Sequence, residues 1–308
     1  MEFAKLHGLG NDFLVAPLDR SKDPERSLSS LAVDICDRHL GVGADGIVFY
    51  EPTVGDPDAE ISALIFNADG SKAEMSGNGI RCLAAFLLFS GAYSSKILRI
   101  RTVSGIKVFT LKDRKHNAFT FESSMGHPIT EPKLVPVHLD SSSTPIVSHA
   151  LAVGSEVVRV TICSMGNPHC STFWQDLEHA PVDALGAQLE RHAIFPNRTN
   201  VEFIQVMDRH RIRVKFWERG VGRTMASGTG GSAAAVASIL NGFAESPITI
   251  ETELGELIAA WDFQSELMLT GPAEFICKGT YATRPPKRQD IEDISRVLHP
   301  LSGAEISA

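Results

Sequence analysis

Several signatures are missing from this chain, and each absence narrows what it does. No apolar run approaches the ~20 residues of a membrane-spanning helix. No block of lysine and arginine stands out, and the formal net charge is −8. Nucleic acid and a charged membrane surface are therefore not expected as partners. Met1-Glu2-Phe3-Ala4-Lys5 lacks a basic stretch followed by an apolar one, so no secretory signal is expected. Cysteine is scarce: Cys36, Cys82, Cys163, Cys170 and Cys277 are odd in number, scattered and without Cys-x-x-Cys spacing. Neither a disulfide framework nor a zinc site is expected, and a reducing cytoplasm suits the chain. What remains is a globular composition of 308 residues, 43% hydrophobic and 21% charged. That length holds one large domain or two ordinary ones.

Two glycine-rich stretches echo each other about half a chain apart. The first runs from Asn67-Ala68-Asp69-Gly70-Ser71 to Ser76-Gly77-Asn78-Gly79-Ile80-Arg81-Cys82 and into the apolar Leu83 to Phe89. The second is Trp217-Glu218-Arg219-Gly220, then Ser227-Gly228-Thr229-Gly230-Gly231-Ser232, running into Ala233 to Leu240. Each is Ser-Gly-x-Gly opening a small, apolar, helix-like segment. Glycines let backbone approach a ligand closely. The free N–H groups and positive dipole of a helix start form an anion site. Two such starts facing each other can hold a carboxylate and stabilise negative charge beside it. A lone Ser-Gly-x-Gly more often serves as a turn. The duplication, with the Asn-Ala-Asp-Gly-Ser lead-in and the Glu218-Arg219 pair, favours the functional reading.

Phe3 to Val15 reads as strand, glycine turn, strand. Turn chemistry accounts for Asp12; Asn11 either caps the turn or faces a ligand. Leu28 to His39 has helical periodicity, with Ser27, Ser29 or Ser30 as N-cap. Strands are expected over Ile47 to Tyr50, Glu60 to Phe66, Ala118 to Phe121, Val157 to Ile162, Arg211 to Glu218, Pro247 to Thr252 and Leu267 to Gly271. Arg99 to Val103 and Ile106 to Leu111 read as a hairpin. Between Ser123 and Val147 prolines accumulate, marking a connection with an edge strand over Lys133 to Leu139. From Thr283 the chain is polar, with a short helix expected over Asp290 to Leu298. His169, after Gly166-Asn167-Pro168 at a strand end, is a candidate for acid–base work. Many short strands with two glycine-started helices indicate an α+β fold.

Together these stretches resemble the diaminopimelate epimerase family. The matching pieces are His7 to Phe13, Gly41 to Gly46, Asn67 to Cys82, Gly166 to Cys170, Asn200 to Phe203, and Glu218 through Gly230, in family order. The resemblance implies a cofactor-free isomerase, with no metal, that interconverts LL-2,6-diaminopimelate and its meso form in lysine and cell-wall precursor synthesis. It implies two similar domains, each a curved mixed sheet or barrel around a central helix, with the active site in the cleft between them. The expected boundaries are 1–125, joined by 272–282, then 126–271, then a tail over 283–308. A homodimer is compatible with it.

In that family two cysteines, one at each helix start, form a thiolate–thiol pair. One takes the α-proton and the other returns a proton to the opposite face. Helix N-termini lower a thiol pKa from about 8.5 toward 3.5–7.5, which makes the thiolate available. Here those positions are Ser76 and Ser227. A hydroxyl is far less acidic and seldom acts as a base without a partner. Cys82 and Cys170 are the non-catalytic cysteines of their motifs. Either a deliberate Cys→Ser pair or a naturally divergent chemistry explains the serines; Arg223 and Gly231-Ser232 favour the second. By the same resemblance Asn11, Asn67, Asn167, Asn200 and Arg219 would hold the distal amino and carboxylate ends of the substrate. Gly77, Asn78, Gly228 and Thr229 would offer backbone N–H groups to the reacting carboxylate. His169 and Glu218 would tune the two proton-transfer positions. The expected activity is therefore impaired or altered. The rival readings are an isomerase or lyase acting on another amino or carboxylic acid, and a non-catalytic binding protein.

Overall fold

The computed structural model describes residues 1–18, 25–73, 75–139 and 144–282. In chain order the elements are β1 (Glu2–Gly8), β2 (Asn11–Pro17), α1 (Glu25–Cys36), β3 (Gly46–Pro52), β4 (Ile61–Asn67), β5 (Lys72–Ala73), α2 (Gly77–Phe89), β6 (Ile97–Thr102), β7 (Gly105–Lys115) and β8 (Ala118–Ser124). There follow β9 (His149–Val153), β10 (Glu156–Ser164), β11 (Pro168–Phe173), α3 (Val182–Glu190), β12 (Asn200–Asp208), β13 (Arg211–Glu218), β14 (Gly222–Thr224), α4 (Gly228–Leu240), β15 (Ile248–Thr252), β16 (Gly255–Ala260) and β17 (Met268–Thr280).

Ladders join β1, β2, β3, β4, β6, β7, β8 and β17 in turn, and β17 returns to β1, closing a barrel. A second ring joins β10, β11, β12, β13, β15, β16 and β17. The stretch after β8 closes it: Met125 and Gly126 bond to Leu267, and Ile129 pairs with Ser164 on β10. Both rings place their parallel pairs at the same steps, β2–β3 and β4–β6 in one, β11–β12 and β13–β15 in the other. The echo heard in two motifs therefore extends to whole barrels.

Each barrel encloses one helix, α2 in the first and α4 in the second. A helix surrounded on every side must be apolar or small all round. From α2, Ile80, Cys82, Leu83, Ala84, Ala85 and Leu87 are fully buried against Phe109, Phe119 and Phe121. Burial of such leucines and isoleucines contributes about 1.5–3 kcal/mol each. From α4, Ala233 to Ala237 are buried, and so are two serines. Ser232 and Ser238 satisfy their hydroxyls on the carbonyls of Gly228 and Ala234 one turn back.

Two expectations are corrected. The helix α1 begins at Glu25, so Ser27, Ser29 and Ser30 lie inside it and are not its N-cap. Lys133 to Leu139 is turn and irregular backbone, not an edge strand. The amides of Leu134 and Val135 both turn back to the Glu131 carbonyl, and Pro132 and Pro136 have no N–H for a ladder. The expected tail from Thr283, including Asp290 to Leu298, lies outside the described residues, as do residues 140–143 of the connection. Among the described residues no helix is long and apolar enough to cross a membrane.

Candidate active site at two helix starts

Ser76 and Ser227 are the N-caps of α2 and α4, and they adopt nearly the same backbone: φ −140, ψ 111 and φ −141, ψ 129. Each hydroxyl accepts from the amide three residues on, Ser76 from Gly79 at 3.1 Å and Ser227 from Gly230 at 3.2 Å. That leaves the first two amides of each helix, Gly77 and Asn78, Gly228 and Thr229, with no acceptor one turn back. Free amides at a helix start are the kind of donor that suits an anion.

The two starts converge on the seam between the barrels. Leu9, in the β1–β2 turn, belongs to the core of the second barrel. A Cβ on Gly271 of β17 would lie 2.5 Å from Leu257 and 2.8 Å from the Arg81 guanidinium. A Cβ on Gly231 of α4 would lie 3.3 Å from the same Leu257. At Gly271 a side chain would have to displace its neighbours, and at Gly231 the fit is tight.

On the first side a chain of polar contacts runs inward. Asn11 donates to Asp45 at 2.8 Å and accepts from Asn78 at 3.1 Å. Asn78 in turn accepts from Arg81. Arg81 is 3% exposed, and its Nε has no hydrogen-bond partner. Burial lowers its pKa to about 10. A buried guanidinium adds positive potential beneath the α2 start. Asp12 is more than a turn former: it is buried and pairs with Lys5 at 2.9 Å and Arg38 at 2.8 Å. Asn67 stands apart from this chain. It is exposed and donates to Ser71 across its own turn.

On the second side Ser227 donates to Glu218 Oε2 at 3.0 Å. Desolvation raises the Glu218 pKa against the opposing hydrogen bond from Ser227 and the nearby His169. The Thr224 hydroxyl approaches the same carboxyl but is buried without a partner in hydrogen-bonding geometry. His169 is fully buried, with Nδ1 2.6 Å from Glu202 and Nε2 2.9 Å from the Asn167 amide oxygen. Glu202 also accepts from Ser171 at 3.0 Å. His169 hydrogen-bonds neither Ser76 nor Ser227; it reaches Glu218 through space. Asn200 donates to the Pro168 carbonyl and accepts from the Arg219 amide, both at 3.0 Å. The Arg219 side chain is exposed and donates to the Asn197 carbonyl at 3.1 Å. Cys82 and Cys170 are fully buried, and burial pushes the Cys82 thiol up to about 12 and the Cys170 thiol well above its usual value. Neither is a source of thiolate. Among the described residues no cluster of His, Cys, Asp and Glu is set to hold a metal.

Residues 3–130 and 161–276 match the family model described as diaminopimelate epimerase. A diaminopimelate epimerase of Pelotomaculum thermopropionicum is 41% identical over 284 residues, covering 92% of this chain and 100% of that protein. The chain belongs to the diaminopimelate epimerase family. The enzyme of that name from Synechococcus elongatus is 42% identical over 282 residues, covering 91% of this chain and 98% of its own. Membership places the chain among epimerases, a class of isomerase. Solved structures share the architecture at low identity. A probable proline racemase from Agrobacterium radiobacter, with bound carbonate, superposes with a TM-score of 0.65 at 16% identity, covering 92% of this chain and 93% of that one. A PhzF-family phenazine biosynthesis protein from Bacillus anthracis gives 0.65 at 13% identity, covering 92% and 99%. At that identity they establish the two-barrel fold of the epimerase and nothing of its ligand.

Sequence reading passed over Arg81 and Glu190. A lone charge inside the apolar run after Ser76 was the available signal for Arg81. Glu190 gave none, because the helix that carries it was not expected.

Proposed function

We propose that this epimerase-family chain binds diaminopimelate between the starts of α2 and α4 and interconverts its LL and meso forms slowly. The pair of serine-capped helix starts, each with two amides free, carries this reading. The reacting carboxylate takes the amides of Gly77, Asn78, Gly228 and Thr229. Asn11, Asn67, Asn167 and Asn200, with Arg219, take the distal amino and carboxylate ends. A guanidinium fork suits a carboxylate because it pairs bidentately.

Proton transfer then runs unequally on the two faces. At Ser227 the hydroxyl takes the α-proton while passing its own to Glu218. The C–H electron pair flows into the carboxylate, where helix dipoles hold the charge. The raised Glu218 pKa makes that carboxylate a stronger base than an exposed one. At Ser76 the hydroxyl returns a proton to the opposite face, leaving an alkoxide that only the α2 start stabilises. That step limits the rate.

The test is solvent deuterium incorporation at the α-carbon, run beside calorimetric binding. The Ser76→Cys, Ser227→Cys chain is expected to epimerise at least about 100-fold faster, the scale of a positioned acid–base pair. Binding without any gain in the double variant would show that the two positions do not carry the chemistry.

A further inference from the structure

Glu190 closes α3 and is 2% exposed, yet it is charged. Burial alone would raise its pKa; the hydrogen bonds from Trp217 and Gly220 and the charges of Arg191 and Arg198 overcome this and lower it. Its two oxygens are divided between two tasks. Oε2 accepts from the Trp217 indole at 2.9 Å, and Oε1 accepts from the Gly220 amide at 3.0 Å. Arg198 lies 3.5 Å from Oε1. These contacts surround a single segment, Trp217 to Gly220, that carries Arg219. Arg198 itself sits at φ +58, a left-handed backbone unusual for arginine, beside the Asn197 carbonyl that holds the Arg219 guanidinium. Asn200 holds the Arg219 amide from the other side. The backbone of Arg219 is thus clamped while its side chain stays exposed, with one guanidinium nitrogen on the Asn197 carbonyl.

We propose that Glu190 is a positioning residue that sets selectivity for a second carboxylate on the ligand, by clamping the Arg219–Gly220 turn. This rests on the reading that Arg219 meets the distal carboxylate of diaminopimelate. A guanidinium fork recognises a carboxylate bidentately only when its backbone is fixed, because a small misplacement converts two bonds into one. Glu190→Gln keeps one acceptor oxygen and turns the other into an NH2 donor, so at least one of Trp217 and Gly220 loses its partner and Arg219 is no longer held from both sides.

L-Lysine is the discriminating probe, since it is diaminopimelate without the distal carboxylate. Calorimetry on the full chain compares affinities for diaminopimelate and lysine, with and without Glu190→Gln. The unaltered chain is expected to prefer diaminopimelate. Glu190→Gln should cut that preference at least tenfold while lysine affinity stays within about twofold, a bidentate contact being lost and the remainder kept. Equal losses for both ligands, or an unchanged preference, overturn the proposal; a merely structural role gives one or the other. Glu190→Asp keeps the charge with a shorter reach and should give an intermediate preference. It serves also if the glutamine variant does not fold, and an unchanged preference there is equally fatal. Arg219→Met separates the two readings. If it retains the preference, the assignment of Arg219 fails whatever Glu190 does. No binding of either ligand to the unaltered chain overturns both.

Discussion

At the scale of single residues, the same physics sends two carboxyls in opposite directions. Glu218 is desolvated with few donors, so its pKa rises above 4.5. The folded chain then holds that proton more tightly than the unfolded one. Its contribution to stability is full below 4.5 and is lost as pH rises through the folded value. The melting temperatures of the unaltered chain and of Glu218→Gln should therefore diverge as pH rises from 4.5, the glutamine chain gaining. A constant offset across that range would refute the assignment. His169 and Glu202 face the same carboxyl and act in opposite senses, His169 lowering and Glu202 raising its pKa. Asp12 is also buried, which alone would raise it, but hydrogen bonds and charges from Arg38 and Lys5 bring it from 3.8 to about 2. Here stability is present above 3.8 and is lost as pH falls toward 2. Asp12→Asn should cost about 2 kcal/mol at pH 7, shrinking toward nothing near pH 2, by urea unfolding. The serine caps were legible because an N-cap is a local device: hydroxyl and amide are three residues apart. The Asp12 ion pairs were not, because Arg38 arrives from 26 residues away.

Among elements, α3 shows why part of the site escaped the sequence. It carries a glycine at its centre, Gly186, where helix propensity is low. The structure gives the reason. A Cβ there would lie 2.7 Å from Cγ of Trp217, so the indole lies directly on the helix backbone. Trp217 is in turn the residue that Glu190 holds, across 27 positions of chain. A long-range contact thus demands the glycine, and local pattern cannot supply that. Gly186→Ala should gain a little helix propensity and lose more by displacing Trp217. We expect a net loss of about 1–3 kcal/mol in chemical unfolding, with tryptophan emission shifted to the red in the folded state. Equal or greater stability with unchanged emission would mean that the indole does not rest on Gly186. The helices α2 and α4 were legible for the opposite reason. Most of their surface is buried, Gly79 to Ala85 in one and Gly230 to Ser238 in the other, so small and apolar residues fill nearly consecutive positions without needing a distant partner to explain them.

For the whole molecule, the decisive element is β17. It pairs with β16 over Met268–Thr270, with β8 over Met268–Glu274 and with β1 over Glu274–Thr280. One strand is thus a wall of both barrels, and no sequence pattern marks a strand as shared. Gly271 lies between the two barrels, with Leu257 of the second and Arg81 of the first each within 3 Å of a built Cβ. Gly271→Val must displace both, and such overpacking should cost about 3 kcal/mol or more. The chain carries its own separate reporters. Trp174, Trp217 and Trp261 all lie in the second barrel or its outer layer, whereas Tyr50 and Tyr93 pack against the first core and Tyr281 bonds to Met1 beside it. Tryptophan emission and fluorine NMR of fluorotyrosine-labelled protein should therefore give coincident midpoints in denaturant. Gly271→Val should lower both by the same amount. Midpoints that separate, or a variant that moves one reporter alone, would mean that each barrel stands without the strand they share and that the cleft between them is not held by β17.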